Sequence, residues 1–209
     1  HHLLYNPASE LELPRPEKRL PRHILTIAEI NQLINATDTT EPSGLGLRDR
    51  AMMETLYSTG MRRAELVGLR IDDVDIGRGT VMIRQGKGKG KKDRMVPIGV
   101  RAVAWIEKYQ FDVRPDYLAQ TDGEDSGVLF LAKHGEAMTP KQLSYLVKKA
   151  IERAALDRFV NTHPNAACHL FRHACATHML ENGADIRYIQ ALLVNADLST
   201  TEVYTQVSI

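Results

Sequence analysis

The sequence Thr59-Gly60-Met61-Arg62-Arg63-Ala64-Glu65-Leu66 decides much of the fold, because it ends one helix and begins another. Residues 47–58, just before it, carry apolar side chains at helical spacing, and Gly60 is the residue type that ends a helix. Residues 63–69 then predict a second, short helix. Arg62 is thereby placed at the junction, and the arginine after it should face elsewhere. An arginine in such a place is usually exposed or ion-paired, so Arg62 indicates a functional site only together with the other residues described below.

The rest of the chain predicts further helices and one β-hairpin. Thr26-Ile27-Ala28-Glu29 has the form of a capping box, which marks the start of a helix. Residues 80–84 and 94–98 predict two strands joined by a loop rich in glycine and lysine. Further helices are predicted over residues 100–109, 139–154, 168–181 and 185–193, and a second capping box at Ser199-Thr200-Thr201-Glu202 puts Tyr204 in the first turns of a last helix.

Length and composition are those of an ordinary globular protein of one domain, or at most two. The 209 residues are 43% hydrophobic and carry a formal net charge of only +1. A surface that binds nucleic acid would therefore have to come from the arrangement of the charges. Cys168 and Cys175 are too few for a disulfide framework, which favours a reducing compartment. No apolar run approaches the roughly 18 to 20 residues that span a bilayer.

The first 25 residues have the composition of a linker. Prolines interrupt them at positions 7, 14, 16 and 21, and prolines at that density suppress helix and favour extended chain. A linker of this length has little use at the start of an isolated domain. We therefore expect it to connect residues 26–209 to something upstream.

The loop of the predicted hairpin is the densest basic segment of the chain. Residues 84–94 contain only one acid, Asp93. Their six basic residues are Arg84, Lys87, Lys89, Lys91, Lys92 and Arg94. Charge runs of this kind are common on solvated surfaces, so a flexible hairpin tip is one interpretation. The other is a tip that enters a DNA groove or places one lysine on a phosphodiester. Lysine suits the second role because its ammonium is a compact donor on a flexible stem.

A histidine and an arginine share one face of the helix predicted over residues 168–181. His169, Arg172 and His173 are spaced i, i+3 and i+4, so their side chains cluster. A metal site is one alternative, but Arg172 would place a permanent cation beside the ion, and no well-spaced carboxylate or cysteine completes the shell. A buried histidine satisfied by hydrogen bonds is the other alternative, more so for His173 and His178 than for His169.

Taken together, these residues suit the transfer of a phosphoryl group. Arg62 and Arg172 can clamp a phosphate, because the planar guanidinium donates two parallel hydrogen bonds. A lysine of the loop and His169 can donate and accept protons, and Tyr204 offers an oxygen nucleophile. The residues favour a domain that transfers DNA strands through a covalent phosphotyrosine.

The order of these motifs resembles the catalytic domain of the tyrosine recombinases, in particular the phage-integrase and Xer-like bacterial branch. The resemblance covers residues 26–207 and is specific. Its motifs are Thr59-Gly60-Met61-Arg62-Arg63-Ala64-Glu65-Leu66, Gly-Lys-Gly, Val96-Pro97, His169-Leu170-Phe171-Arg172-His173, Ala196-Asp197-Leu198-Ser199-Thr200-Thr201 and Tyr204. It implies a mainly α fold with a small antiparallel β-sheet.

The resemblance also implies a role for each site residue. Arg62 and Arg172 would hold the scissile phosphate and stabilise its pentacoordinate transition state. The lysine of the Gly-Lys-Gly motif would protonate the leaving 5′ oxygen, and His169 would hydrogen-bond the phosphate and assist proton transfer. Tyr204 would attack phosphorus and form a 3′-phosphotyrosyl link.

Further expectations follow from the same resemblance. The family uses no metal and no nucleotide cofactor. Its partners are double-stranded DNA and other recombinase protomers, in a tetrameric synapse for the full-length protein, in the bacterial cytoplasm and at the nucleoid, with no membrane. Residues 1–25 would be the linker from a missing N-terminal core-binding domain. Residues 26–209 would be the catalytic domain, truncated just after the nucleophile.

The hairpin loop departs from the family pattern. It is about two residues longer than usual, so two lysines compete for the role of general acid. Counting back from Arg94 selects Lys89, which we favour, whereas counting forward along the first strand selects Lys87. The other basic residues near the loop's end, Lys91, Lys92 and Arg94, are predicted with Lys87 to contact DNA.

A second departure lies nine residues before the tyrosine. The family usually has Gly-His there, whereas this chain has Val194-Asn195. Asn195 can still donate a hydrogen bond to a phosphate oxygen, but it can neither carry a charge nor shuttle a proton. The alternative function is therefore an impaired or non-catalytic DNA-binding relative of the family.

Overall fold

The computed structural model describes residues 24–84, 93–121 and 124–193. Within these ranges the fold is mainly α with one small antiparallel sheet, so the predicted fold class is confirmed. The helices are α1 Ile27–Asn35, α2 Leu45–Thr59, α3 Arg63–Val67, α4 Val100–Asp112, α5 Arg114–Leu118, α6 Pro140–Arg153, α7 Asp157–Val160, α8 Pro164–Glu181 and α9 Ile186–Leu193. The strands are β1 Val74–Asp75, β2 Thr80–Ile83 and β3 Arg94–Pro97.

Side-chain caps mark the starts of α1, α6 and α8. At α1 the Thr26 hydroxyl accepts from the Glu29 N–H at 3.2 Å, and the Glu29 carboxylate accepts from the Thr26 N–H at 2.8 Å, as the capping box predicted. The predicted start of α8 at residue 168 was wrong. The helix begins four residues earlier because His163 caps it and Pro164 occupies its first position, where a missing N–H costs nothing.

The sheet has the order β1-β2-β3 and is antiparallel throughout. Val81 pairs with Val96 and Ile83 pairs with Arg94. The side chains of Val81, Ile83 and Val96 are buried, so one face of the hairpin packs on the helices. The first strand was not predicted, because a strand of two residues has no detectable alternation.

Helix α2 lies at the centre of the core and packs against α4 and α8, while α8 also packs against α6. Even polar side chains of α2 are buried, among them Glu54 and Thr55. Its position places the end of α2 beside α8, the helix that carries His169 and Arg172. In the described part of the chain, no helix is long and apolar enough to cross a membrane.

The end of α2 requires a glycine for two reasons. Gly60 has a φ of +59°, a left-handed conformation that side chains disfavour. A Cβ there would also lie 2.6 Å from Cδ2 of the buried Leu193, the last residue of α9. Gly183, which follows α8, has a φ of +82° but no atom within 4 Å of such a Cβ. Comparing alanine substitutions at these two glycines therefore separates the cost of backbone strain from the cost of overpacking.

We predict that Gly60→Ala destabilises the protein more than Gly183→Ala. The second change should cost about 1–2 kcal/mol for the left-handed backbone alone. The first should cost about 1–3 kcal/mol more, the usual range for overpacking a core. Urea unfolding of both variants measures the difference, and equal losses would show that α9 yields to the new methyl group at no cost.

Candidate active site

Arg62 lies between α2 and α3, as the sequence predicted. Its backbone N–H donates to Oε2 of Glu65 at 2.7 Å, and its Nη1 lies 3.3 Å from Oε1 of the same carboxylate. The side chain stays 43% exposed. Arg63 faces elsewhere, as expected, because its Nη1 donates to Ser144 at 2.9 Å and to Asn165 at 2.7 Å.

Glu65 is a central residue of this site, and the sequence analysis did not assign it a role. Besides Arg62, it accepts two parallel hydrogen bonds from Nη1 and Nη2 of Arg94, each of 2.9 Å. Burial alone would raise the pKa of Glu65, but the hydrogen bonds from Arg94 and the Arg62 N–H, with the charges of both arginines, lower it below its usual value. Glu65 is therefore an anion at neutral pH. The available signal was its i+3 spacing from Arg62.

Arg172 is buried, with only 7% of its surface exposed. Its Nη1 donates to the carbonyl of Gly60 at 2.6 Å, and its Nη2 donates to the carbonyl of Leu193. One guanidinium on α8 thus binds the last turn of α9 and the residue that ends α2, two positions before Arg62. The structure brings Arg62 and Arg172 to the same junction.

His169 lies one helical turn before Arg172 and is exposed. Its pKa is lowered, first because its ring is partly desolvated and then because the positive charges of Arg172, Arg63 and Arg62 act on it. The imidazole is therefore neutral at pH 7. A neutral imidazole donates from one nitrogen and accepts at the other, which suits proton transfer next to a phosphate.

The other two histidines on α8 have different surroundings. The ring of His173 lies 6.5 Å from that of His169, and the pKa of His173 is lowered by desolvation and then by His169 and Arg172. Nδ1 of His178 shares a hydrogen bond of 2.9 Å with the hydroxyl of Tyr57. His178 is thus a buried, satisfied histidine, as the alternative interpretation held. Among the described residues, no group of three or more histidine, cysteine or acidic side chains could hold a metal ion.

The two cysteines are poor nucleophiles in this fold. Both thiols are buried, and burial raises the pKa of Cys168 and of Cys175 to about 11. A thiol needs its thiolate form to react, and almost none is present at pH 7.

The Arg94 side chain binds other residues of the protein. It is only 10% exposed, and in addition to Glu65 its Nε donates to the carbonyl of Leu192 at 3.1 Å. Its contact with DNA stays a prediction. The remaining predicted site residues lie outside the described residues, namely Lys87, Lys89, Lys91, Lys92, Asn195 and Tyr204.

The described part of the site can hold a phosphate. Arg62 is partly exposed at the helix junction, Arg172 is held at the same junction by its hydrogen bond to the Gly60 carbonyl, and the charges of both act on His169. Two guanidiniums with a neutral imidazole can bind the non-bridging oxygens of a phosphodiester and stabilise added negative charge in a transition state.

Comparison with known proteins agrees with this geometry. The model of the phage integrase family matches residues 23–209. Tyrosine recombinase XerC 2 of Ralstonia nicotianae is 47% identical over all 209 residues, which span 56% of that protein. The crystal structure of XerA recombinase superposes with a TM-score of 0.68 at 28% identity, over 87% of this chain and 59% of that one.

A further solved structure, XerH site-specific recombinase bound to a palindromic difH substrate after cleavage, gives a TM-score of 0.71 at 25% identity. The match covers 91% of this chain and 51% of XerH. The chain therefore spans little more than half the length of these relatives. It belongs to the phage integrase family of tyrosine recombinases and corresponds to their catalytic domain.

Proposed function

We propose that this protein is the catalytic domain of a site-specific recombinase, which cleaves and rejoins double-stranded DNA through a 3′-phosphotyrosyl intermediate. The observation that carries the proposal is the hydrogen bond from Arg172 to the Gly60 carbonyl, 112 residues away in sequence. It brings one guanidinium to the junction that holds the other, Arg62. Such a pair suits a phosphate in transfer.

Each residue then has a defined step. The Tyr204 hydroxyl attacks phosphorus, so that a tyrosyl ester bond forms while the bond to the 5′ oxygen breaks. Arg62 and Arg172 bind the non-bridging oxygens and stabilise the charge of the pentacoordinate transition state. His169 hydrogen-bonds the phosphate and assists proton transfer, and Lys89 protonates the leaving 5′ oxygen. Because the ester conserves the energy of the phosphodiester bond, rejoining needs no energy cofactor.

The neutral state of His169 fits its proposed role. A tyrosine keeps its proton at pH 7, since its ordinary pKa is about 10, and must lose that proton as it attacks. A neutral imidazole can share that proton directly or through the phosphate, whereas an imidazolium could only donate. Partial desolvation first, and then the neighbouring arginines, lower the pKa of His169 and so support the chemistry.

DNA is the proposed substrate because the XerH structure was determined with a DNA substrate after cleavage. The proposed partners are other recombinase protomers, in a tetrameric synapse for the full-length protein. We place the reaction in the bacterial cytoplasm, at the nucleoid. Residues 1–25 would join the catalytic domain to a core-binding domain. Asn195 favours a second candidate, a DNA-binding relative with impaired chemistry, because its amide offers only a neutral donor.

We predict that Tyr204→Phe abolishes covalent attachment to DNA while affinity for DNA changes little. The change removes the attacking oxygen and nothing else. The site is first selected by binding from random-sequence DNA, and a nicked duplex of that site then traps the intermediate. Adducts are counted on denaturing gels.

The matched control is Tyr188→Phe, which changes an exposed tyrosine on α9, 16 residues before Tyr204 in sequence. It should form the adduct at the parental level. An adduct that persists in Tyr204→Phe would refute the assignment of the nucleophile. If the parent binds the site and forms no adduct, the non-catalytic candidate is correct.

We further predict that Lys89→Ala slows cleavage by about 10² or more, the usual scale for one positioned proton donor. A substrate with sulfur at the 5′ bridging position should largely restore the rate, because a thiolate leaves without a proton. Lys87→Ala is the matched control in the same loop. If sulfur rescues Lys87→Ala and leaves Lys89→Ala slow, Lys87 is the general acid.

A further inference from the structure

Arg94 occupies an unusual place for a residue of a basic hairpin. Its two terminal nitrogens bind both oxygens of Glu65 at 2.9 Å, and both side chains are 10% exposed. A bidentate salt bridge of this kind fixes the orientation of both side chains and also pairs their charges. Unlike Arg172, which donates to the neutral carbonyls of Gly60 and Leu193, Arg94 binds a carboxylate with both terminal nitrogens, so its charge is already balanced and attracts a DNA phosphate less.

The contacts of Arg94 join three pieces of the site. Through Glu65 it reaches Arg62, whose backbone N–H the same carboxylate holds at 2.7 Å. Through Nε it holds the Leu192 carbonyl, three residues before Asn195. Arg94 itself lies on β3, five residues after Lys89.

Two arginines bind Glu65, but unequally. The contact of Arg62 is 3.3 Å long and its side chain is 43% exposed, whereas the contacts of Arg94 are shorter and buried. Arg94 therefore takes up most of the negative charge of Glu65. Glu65, whose charge Arg94 balances, therefore repels a phosphate at the exposed Arg62 less than an unpaired carboxylate would.

We infer that Arg94 is a positioning residue for strand cleavage: it orients Arg62 through Glu65 and anchors, through the Leu192 carbonyl, the chain that leads to Asn195 and Tyr204. The inference rests on the proposed function and deepens it. It replaces a direct DNA contact of Arg94 with an indirect role.

The test uses single-turnover cleavage at saturating DNA, together with DNA affinity at several salt concentrations. Arg94→Gln should lower the cleavage rate by about 10- to 100-fold, the scale of a misplaced reacting group. Affinity and its salt dependence should stay at the parental values. Arg94→Lys keeps the charge but loses the bidentate contact, so its cleavage rate should fall between those of the parent and of Arg94→Gln.

Two further variants separate positioning from mere stability. Arg114→Gln removes another buried arginine, which forms a bidentate salt bridge with Asp125 outside the site. It should leave the rate unchanged. In a Glu65→Gln background, Arg94→Gln should cost much less than in the parent, because the carboxylate on which Arg94 acts is gone. That double variant also avoids leaving a buried carboxylate unpaired.

The outcomes are distinguishable. If Arg94→Gln weakens binding, lowers the salt slope by about 1 and leaves saturated cleavage unchanged, Arg94 is a DNA contact and the inference is overturned. An equal loss of rate in Arg114→Gln also overturns it, since general destabilisation would then explain both. If the parent itself forms no adduct, the proposed function fails independently of any Arg94 variant.

Discussion

The buried guanidinium of Arg172 is the interaction on which the arrangement of the site depends. A permanent charge inside a protein is costly unless hydrogen bonds satisfy it. Here the carbonyls of Gly60 and Leu193 accept from it. Both lie at C-terminal ends of helices, where unpaired carbonyls and the helix dipole favour a cation. The charge is stabilised only while α2, α8 and α9 keep their relative positions.

The same principle extends outward to Glu65. Arg62 and Arg94 would repel one another if no anion lay between them, and Glu65 supplies that anion from the first turn of α3. Its lowered pKa keeps it charged at neutral pH. Glu65 thus binds the buried Arg94 and the more exposed Arg62. A phosphate that approaches from solvent therefore meets Arg62 before Arg94.

Local sequence predicted what local chemistry determines. The capping box at Thr26 fixed the start of α1, and the alternation at Val81 and Ile83 fixed the hairpin. Spacing on one helix also placed His169 beside Arg172. The sequence did not reveal contacts between residues distant in the chain. Nothing near Arg94 indicates that it binds the carboxylate of Glu65, 29 residues upstream.

The motifs thus predicted the composition of the site better than its geometry. Arg62, His169 and Arg172 were identified from sequence and lie together in the structure, but the bond from Arg172 to two helix ends could not be inferred. That bond needs the packing of α8 against α2, which depends on the whole core. The roles of Lys89, Asn195 and Tyr204 rest on sequence and on the family.

The central claim is that Arg172 serves the phosphate as well as the fold. The most direct measurement compares the parent with Arg172→Ala on two substrates, a phosphodiester and a methylphosphonate whose reacting group is neutral. If Arg172 stabilises transition-state charge, the variant should lose about 10²–10³ in cleavage rate on the phosphodiester and much less on the methylphosphonate. An equal loss on both substrates would contradict the claim and leave Arg172 a purely structural residue.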